Sequence, residues 1–344
     1  MSKGFYDRRK KRTMIYFVIF AMIGCLVFGF TAFFKYQQEV SADYGKVKDV
    51  PVDQKDTLET PEEKTETPIK VLVVNCGDAL SVLVDCGATE VLYDTGGYET
   101  ADSVVKKIKP YVDGDIDYLI ISHSHADHCG GVPAVLKAYS VKTIITSGEK
   151  SGDSKEFDAA QKAIKTSSAD VIEDKDMTLE LGKGFTMDII ETFDPGETDN
   201  PNNLSVVAYL KRGEQSILLE GDSEKDAEKY LLGKFDDGVT VFVAGHHMSN
   251  TSNSAALLLD WSPSIIVASC AGPKDSEYGF PNKRALGRCV ATTGDVYATY
   301  KSGDILITLE ETGYTCSAPD SEKLSFIGAD SSSNNAEDGG HENE

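Results

Sequence analysis

The stretch ISHSHADHCGG, residues 121–131, crowds His123, His125, Asp127 and His128 into six positions. Imidazole nitrogens and carboxylate oxygens in this pattern suit zinc, iron or manganese, and no thiolate is needed. One tight turn cannot easily aim all four side chains at a single tetrahedral ion. Two adjacent ions relieve the crowding, with His123 and His125 on one and Asp127 and His128 on the other. The plainer alternative is a solvated histidine-rich loop. Against it, the chain has only six histidines: three are here, His246 and His247 follow a later apolar run, and His341 lies near the C-terminal end. Gly130 and Gly131 supply a tight turn before a helix. Cys129 reads as a small packed residue rather than a ligand.

Outward from the cluster, short β-branched runs read as strands. KVLVVN, SVLVD, EVLYD and IDYLIIS come first, followed by TIIT, FTMDII, LSVVAYL, QSILLE, VTVFVAG, SIIVAS, VYATY and DILITL. Helical patterns fall between them at 101–109, 132–139, 155–165, 224–232, 254–260 and 283–290. Hairpins open the series, and strands then alternate with helices. This predicts α/β layers with helices outside and excludes a helical bundle. The residues suited to chemistry sit where strands end: Asp94 after VLY, His123 after LIIS, Asp222 after ILLEG, and His246 and His247 after VFVAG.

The ends of the chain differ from its middle. Lys3, Arg8, Arg9, Lys10, Lys11 and Arg12 precede an uncharged apolar run, Met14–Phe34. At about 1.5 Å per residue, that run spans a hydrocarbon core of roughly 30 Å. It predicts a transmembrane helix over 13–35, with the basic segment 1–12 cytoplasmic and the remainder extracellular. A cleaved signal peptide, with VSA at 40–42 as its site, is the alternative, but the run is long and ends well before it. Residues 36–68 read as a flexible linker, 69–316 as one substantial domain and 317–344 as a disordered acidic tail. Six of the seven cysteines follow the apolar run, which permits disulfides; Cys76 with Cys86 can bridge neighbouring strands, or the thiols are free and buried. The formal charge is −22 with no broad basic stripe, so electrostatic capture of long duplex DNA is weak or local.

SHSHADHCGG resembles the signature of the metallo-β-lactamase superfamily. GDALSVLVDCGATEVLYDTGG, NNLSVVAYLKRGEQSILLEGDSEKDAEKYLL and VFVAGHHMSNTSNSAALLLDWSPSIIVAS are similar to the hydrolase domain of competence proteins of the ComEC type. The resemblance implies a four-layered αβ/βα sandwich with metals at one edge of two sheets. It assigns His123, His125, Asp127 and His128 to metal, Asp222 to a bridging carboxylate and His246 to the late ligand, leaving His247 for substrate. A helix N-cap is the alternative for Asp222, although Ser223 can cap instead. Asp94 is expected to orient a histidine from behind. Three departures stand out. No histidine lies between His128 and His246, where Asn202, Asn203 or Asp199 can line the site instead; Met248 replaces a usual glycine; and Phe280 in YGFP replaces a common histidine.

These readings predict a membrane-anchored extracellular hydrolase with two divalent ions, zinc first and manganese or iron as alternatives, and no organic cofactor. A water ionised between the ions and oriented by Asp127 would attack phosphodiesters of nucleic acid. Lys283 and Arg284, with Arg288, are candidates to clamp a phosphate, although a solvated helix face explains them too. The alternatives are hydrolysis of cell-wall phosphodiesters or other esters, and a catalytically degenerate binding module.

Overall fold

The computed structural model describes residues 68–152, 154–235, 238–310 and 313–325. The basic segment, the apolar run at 14–34, the linker up to residue 67 and His341 lie outside them. Among the described residues, no helix is long and apolar enough to cross a membrane.

Most of the inner strands are apolar on both sides, which demands cover on both faces. Ile69, Val71 and Val73 point into one core while Leu72 and Val74 point into another. The same split separates Ile217 and Leu219 from Leu218, and Val241 and Val243 from Phe242. The result is two sheets packed face to face over a shared core, each covered outside by helices.

In the first half of the chain run β1 (Ile69–Val73), β2 (Val82–Asp85), β3 (Glu90–Tyr93), β4 (Ile116–Ile121), β5 (Val141–Thr146) and β6 (Asp170–Glu173). Next come β7 (Met177–Gly182), β8 (Phe185–Ile190), β9 (Val207–Arg212), β10 (Gln215–Leu219), β11 (Val241–Val243), β12 (Ile265–Ala268), β13 (Val296–Ala298), β14 (Ile305–Leu309) and β15 (Tyr314–Cys316). One sheet has the order β15-β14-β1-β2-β3-β4-β5-β6, the other β13-β12-β11-β10-β9-β8-β7. Each is antiparallel in one half and parallel in the other, with β3, β4, β5 and β6 parallel in the first and β10, β11, β12 and β13 in the second.

Helices α1 (Ala101–Ile108), α2 (Ala126–Cys129), α3 (Val132–Ala138) and α4 (Lys155–Thr166) belong to the first half. Helices α5 (Lys225–Leu231), α6 (Ala255–Trp261), α7 (Lys283–Thr292) and α8 (Thr299–Ser302) belong to the second. Amphipathic α4 buries Phe157, Ala160 and Ile164 against the first sheet, and its N-cap Ser154 accepts the Phe157 N–H. Around fully buried Trp261, α5, α6 and α7 cover the second sheet.

One expectation changes, and one of two open alternatives is selected. The stretch expected to be tail from residue 317 is anchored as far as Leu324: Ala318 joins the central core, and the Leu324 N–H donates to Val296 O at 2.7 Å. All six cysteines among the described residues are free thiols. Cys76 and Cys86 sit in different cores, so no bridge joins them.

Candidate metal centre

Strands β3 and β4, parallel neighbours, end side by side and hold the first elements of the centre. Asp94, just past β3, has φ 56°, a left-handed backbone that aspartate tolerates better than most side chains. Its fully buried carboxylate accepts the Ser122 N–H on Oδ1 and the Ser122 hydroxyl on Oδ2, both at 2.7 Å. The same Oδ2 lies 2.7 Å from His128 Nδ1. A carboxylate only accepts, so Nδ1 carries the proton and the His128 Nε2 lone pair faces the centre. The Ser122 hydroxyl gives its one proton to Asp94 and therefore accepts from His123 Nδ1 at 3.0 Å, which frees His123 Nε2 in the same way. His123 Nε2 lies 2.9 Å from His125 Nδ1.

Helix α2 starts immediately after His125 and is only four residues long, which places Asp127 and His128 on one turn. Its glycines are needed for close approach. A Cβ on Gly131 would lie 2.2 Å from Thr95 O, and one on Gly130 would lie 2.4 Å from Ala126 O.

The second sheet contributes from the ends of β10 and β11. Asp222 N–H donates to Ser205 Oγ at 3.0 Å, and the buried side chain turns inward. Glu224, not Asp222 or Ser223, is the N-cap residue of α5. Asp222 Oδ1 is 3.2 Å from His128 Nε2 and 3.8 Å from His247 Nε2. Its Oδ2 is 4.0 Å from His123 Nε2. After β11 the backbone takes three successive positive φ values, 51° at His246, 52° at His247 and 66° at Met248. This strained turn aims the two histidines differently. His247 is buried; its Nδ1 donates to Ser269 O at 2.9 Å, leaving Nε2 3.2 Å from Asp127 Oδ2. His246 stands at the rim, Nε2 3.6 Å from Asp222 Oδ2 and Nδ1 3.2 Å from Thr251 Oγ1.

Two sets of donor atoms result: Asp127, His128, Asp222 and His247 in one, His123, His125 and Asp222 in the other, each within 4.8 Å. His128 Nε2 and Asp222 Oδ1 are buried with no hydrogen-bond partner. Donors about 2.1 Å from a tetrahedral ion lie ~3.4 Å apart. The separations of 3.2, 3.5 and 3.8 Å within the first set bracket that edge. Lone pairs of neutral His128 and His247 face carboxylates, an arrangement that calls for positive charge between them. The residues present therefore fit a pair of divalent cations.

Electrostatics agree. Burial disfavours ionisation of Asp127 and Asp222, yet the neighbouring histidines hold both carboxyls well below the usual range. Burial opposes charge on His128 and His247 too, but Asp222 and Asp127 raise both, so the carboxylates draw positive charge into the centre, either as protons on these imidazoles or as cations that take the protons' place. Burial pushes His123 well below its ordinary value, with His128 adding repulsion.

A sequence model of the family described as "Metallo-beta-lactamase superfamily" matches residues 74–269, more than half of the chain. The chain belongs to the metallo-β-lactamase superfamily. It is 27% identical over 245 residues to "Recombination protein 2" of Haemophilus influenzae, covering 69% of this chain and 28% of that protein. It is 30% identical over 214 residues to "Competence protein ComA" of Neisseria gonorrhoeae, covering 61% and 28%. To "ComE operon protein 3" of Bacillus subtilis it is 25% identical over 246 residues, covering 64% and 30%. The chain thus spans less than a third of the length of these curated relatives. Members of the superfamily are generally metal-dependent hydrolases, and the fold typically holds two metal ions.

Relative to the superfamily pattern, the structure brings His123, His125, Asp127, His128 and Asp222 together, with Asp94 behind His128. The late donor differs from the expectation: His247 enters the four-member set and His246 does not. Asn202 and Asn203 hold the neighbouring helix start. Asn203 Oδ1 accepts the Glu224 N–H and Asn202 Nδ2 donates to Glu224 Oε1, clasping the start of α5. Asp199 is exposed. Lys283 and Arg284 are exposed and do not line the cavity over the centre. Arg288 is committed to the 250–253 loop, bonding Asn253 O at 2.7 Å and Ser252 O at 2.9 Å. Two features had no signal in the sequence beyond polar residues near the motif. Ser205 braces Asp222, and the Ser124 hydroxyl donates to buried Glu149 at 2.7 Å.

The cavity has a volume of about 630 Å³. Asp78, Asp127, Asp222 and Glu277 line it with His125, His246, His247, Tyr278 and Phe280.

Proposed function

We propose that the protein is a metal-dependent phosphodiesterase acting on nucleic acid, held at the outer face of the membrane by residues 14–34. The observation that carries the reading is the pair of donor sets sharing Asp222 on the floor of an open cavity. His123 and His125 would hold one ion, Asp127, His128 and His247 the other, with Asp222 between. When bound, two divalent cations supply Lewis acidity, lowering the pKa of water toward about 7 and neutralising charge on phosphoryl oxygens.

The side chains do the rest. The Asp127 side chain is 38% exposed and faces the cavity, and ionised by its histidine neighbours it accepts a hydrogen bond from the attacking water and orients it. Asp94 and the Ser269 carbonyl lock the tautomers of His128 and His247, so the donor atoms need no rearrangement. His246, at the rim and aromatic edge-to-face with Phe280, is placed to give a proton to the departing alcohol. The names of the relatives, recombination and competence proteins, support nucleic acid over cell-wall polymers as substrate. The three-donor set His123, His125 and Asp222 supports a second reading, a binding module without turnover.

Elemental analysis of the purified protein, paired with assays on an aryl phosphodiester, single-stranded DNA and a β-lactam, tests this. About two ions per chain and chelator-sensitive phosphodiester cleavage are expected. Stoichiometric metal with no cleavage of any phosphodiester would leave the binding module.

A further inference from the structure

The cavity wall carries an aromatic stack whose outermost ring, Tyr278, the chemistry above does not use. Phe280 lies parallel to His247 (centroids 5.9 Å, 27° between planes), and Tyr278 lies parallel to Phe280 (5.5 Å, 25°). Both separations fall in the range for offset stacking. Phe280 is 8% exposed, whereas Tyr278 is 74% exposed and leaves the stack open. The series starts at a donor of the metal centre and ends in solvent.

Among the described residues, no lysine or arginine lines this cavity, and Asp78 and Glu277 make it acidic. A polyanion gains no lysine or arginine ion pair from these residues, which leaves an uncharged contact to select the substrate. We infer that Tyr278 is a substrate-contacting residue that stacks a nucleobase flanking the scissile phosphate, so that the substrate is single-stranded nucleic acid or a frayed end. The inference rests on the phosphodiester reading above. A base inside a duplex has both faces covered and cannot join the stack. A cationic head group over the ring is the competing occupant, and cation binding favours several rings meeting as a cage. Here the rings stack with planes 25–27° apart in a single series that ends on exposed Tyr278, which suits another planar ring.

The probes are a fluorescein-labelled single-stranded hexanucleotide and its counterpart with abasic tetrahydrofuran residues, identical in charge. With zinc or manganese added, kcat/KM is expected to favour the base-bearing strand by on the order of 5- to 100-fold. Tyr278→Ala should collapse that ratio toward one, and Tyr278→Phe should keep it. A readout independent of turnover uses chelated protein. Trp261, the chain's one tryptophan, is fully buried, so Tyr278→Trp creates an exposed reporter whose emission the base-bearing strand should quench more than the abasic one.

Equal cleavage of both strands, or a ratio indifferent to Tyr278, overturns the stacking inference and leaves the phosphodiesterase reading standing. Base-dependent quenching without cleavage of either strand supports stacking and removes the hydrolase. A preference for glycerophosphocholine that vanishes in Tyr278→Ala reassigns the ring to a cation. Neither quenching nor cleavage removes both readings.

Discussion

Replacing Asp94 with asparagine should weaken metal binding without unfolding the protein. Asparagine tolerates the φ of 56° at this position, so the turn after β3 survives. The new amide oxygen must take the place of Oδ1, because the Ser122 N–H at 2.7 Å needs an acceptor. Its NH₂ then occupies the position of Oδ2 and meets His128 Nδ1 at 2.7 Å, donor against donor. The imidazole can respond only by moving its proton to Nε2, the atom that faces Asp222 Oδ1 at 3.2 Å. The lone pair needed by the ion is then occupied. Lost partners of this kind cost about 10- to 100-fold in metal affinity, or about 1.4–2.7 kcal/mol. Titration of zinc against a chromophoric chelator should show one of two binding steps weakened by that factor, with unchanged far-UV circular dichroism. Two unchanged steps in a folded variant would refute the claim that Asp94 sets the tautomer.

Four other outcomes are expected. Asp127→Ala should abolish hydrolysis, and full activity measured in that variant would remove Asp127 as the residue that orients the attacking water. His247→Ala should lose about one equivalent of bound metal by elemental analysis, whereas His246→Ala should retain both and lower kcat; the reverse pattern would return the ligand role to His246. Gly131→Ala should lower stability in urea titration by about 1–3 kcal/mol, because its Cβ would overlap Thr95 O at 2.2 Å. Glu191 is buried with both carboxyl oxygens unpartnered, and burial first, then Asp174, raises its pKa from 4.5 to about 8. The folded state therefore keeps a proton that the unfolded state releases, and this contribution fades as pH rises from about 4.5 through 8. Glu191→Gln should gain on the wild type over that window, with a ceiling of about 4–5 kcal/mol, measured by paired urea titrations at pH 5 and pH 8.

Most of the sandwich is legible in the sequence because its inner strands are buried on both faces and announce themselves as unbroken apolar runs. Strands β6, β7 and β15 are not. Much of β6 and alternate residues of β7 are exposed, and each forms at a sheet edge by pairing with a strand that already exists. VYATY is a strand only through Ala298, and Thr299 and Tyr300 turn into α8. The stretch after Cys316 reads as polar and unstructured, but two apolar residues suffice: Ala318 and Leu324 anchor it to cores assembled elsewhere, and Lys323 pairs with Asp295 at 2.7 Å.

The sequence by itself determined the local part of the centre. His123, His125, Asp127 and His128 are bound to one turn by the chain's covalent spacing, and Asp94, Asp222 and the His-His pair are marked by the strands they follow. Only the tertiary structure decided which member of the pair turns inward. His246 and His247 are adjacent and chemically identical, and the choice depends on consecutive left-handed backbone angles that the packed loop imposes. It also decided that Arg288 ties a loop and that Tyr278 ends an aromatic stack. Pattern and composition record what a side chain can do; partners more than a hundred residues away, such as Asp127 for His247, settle what it does.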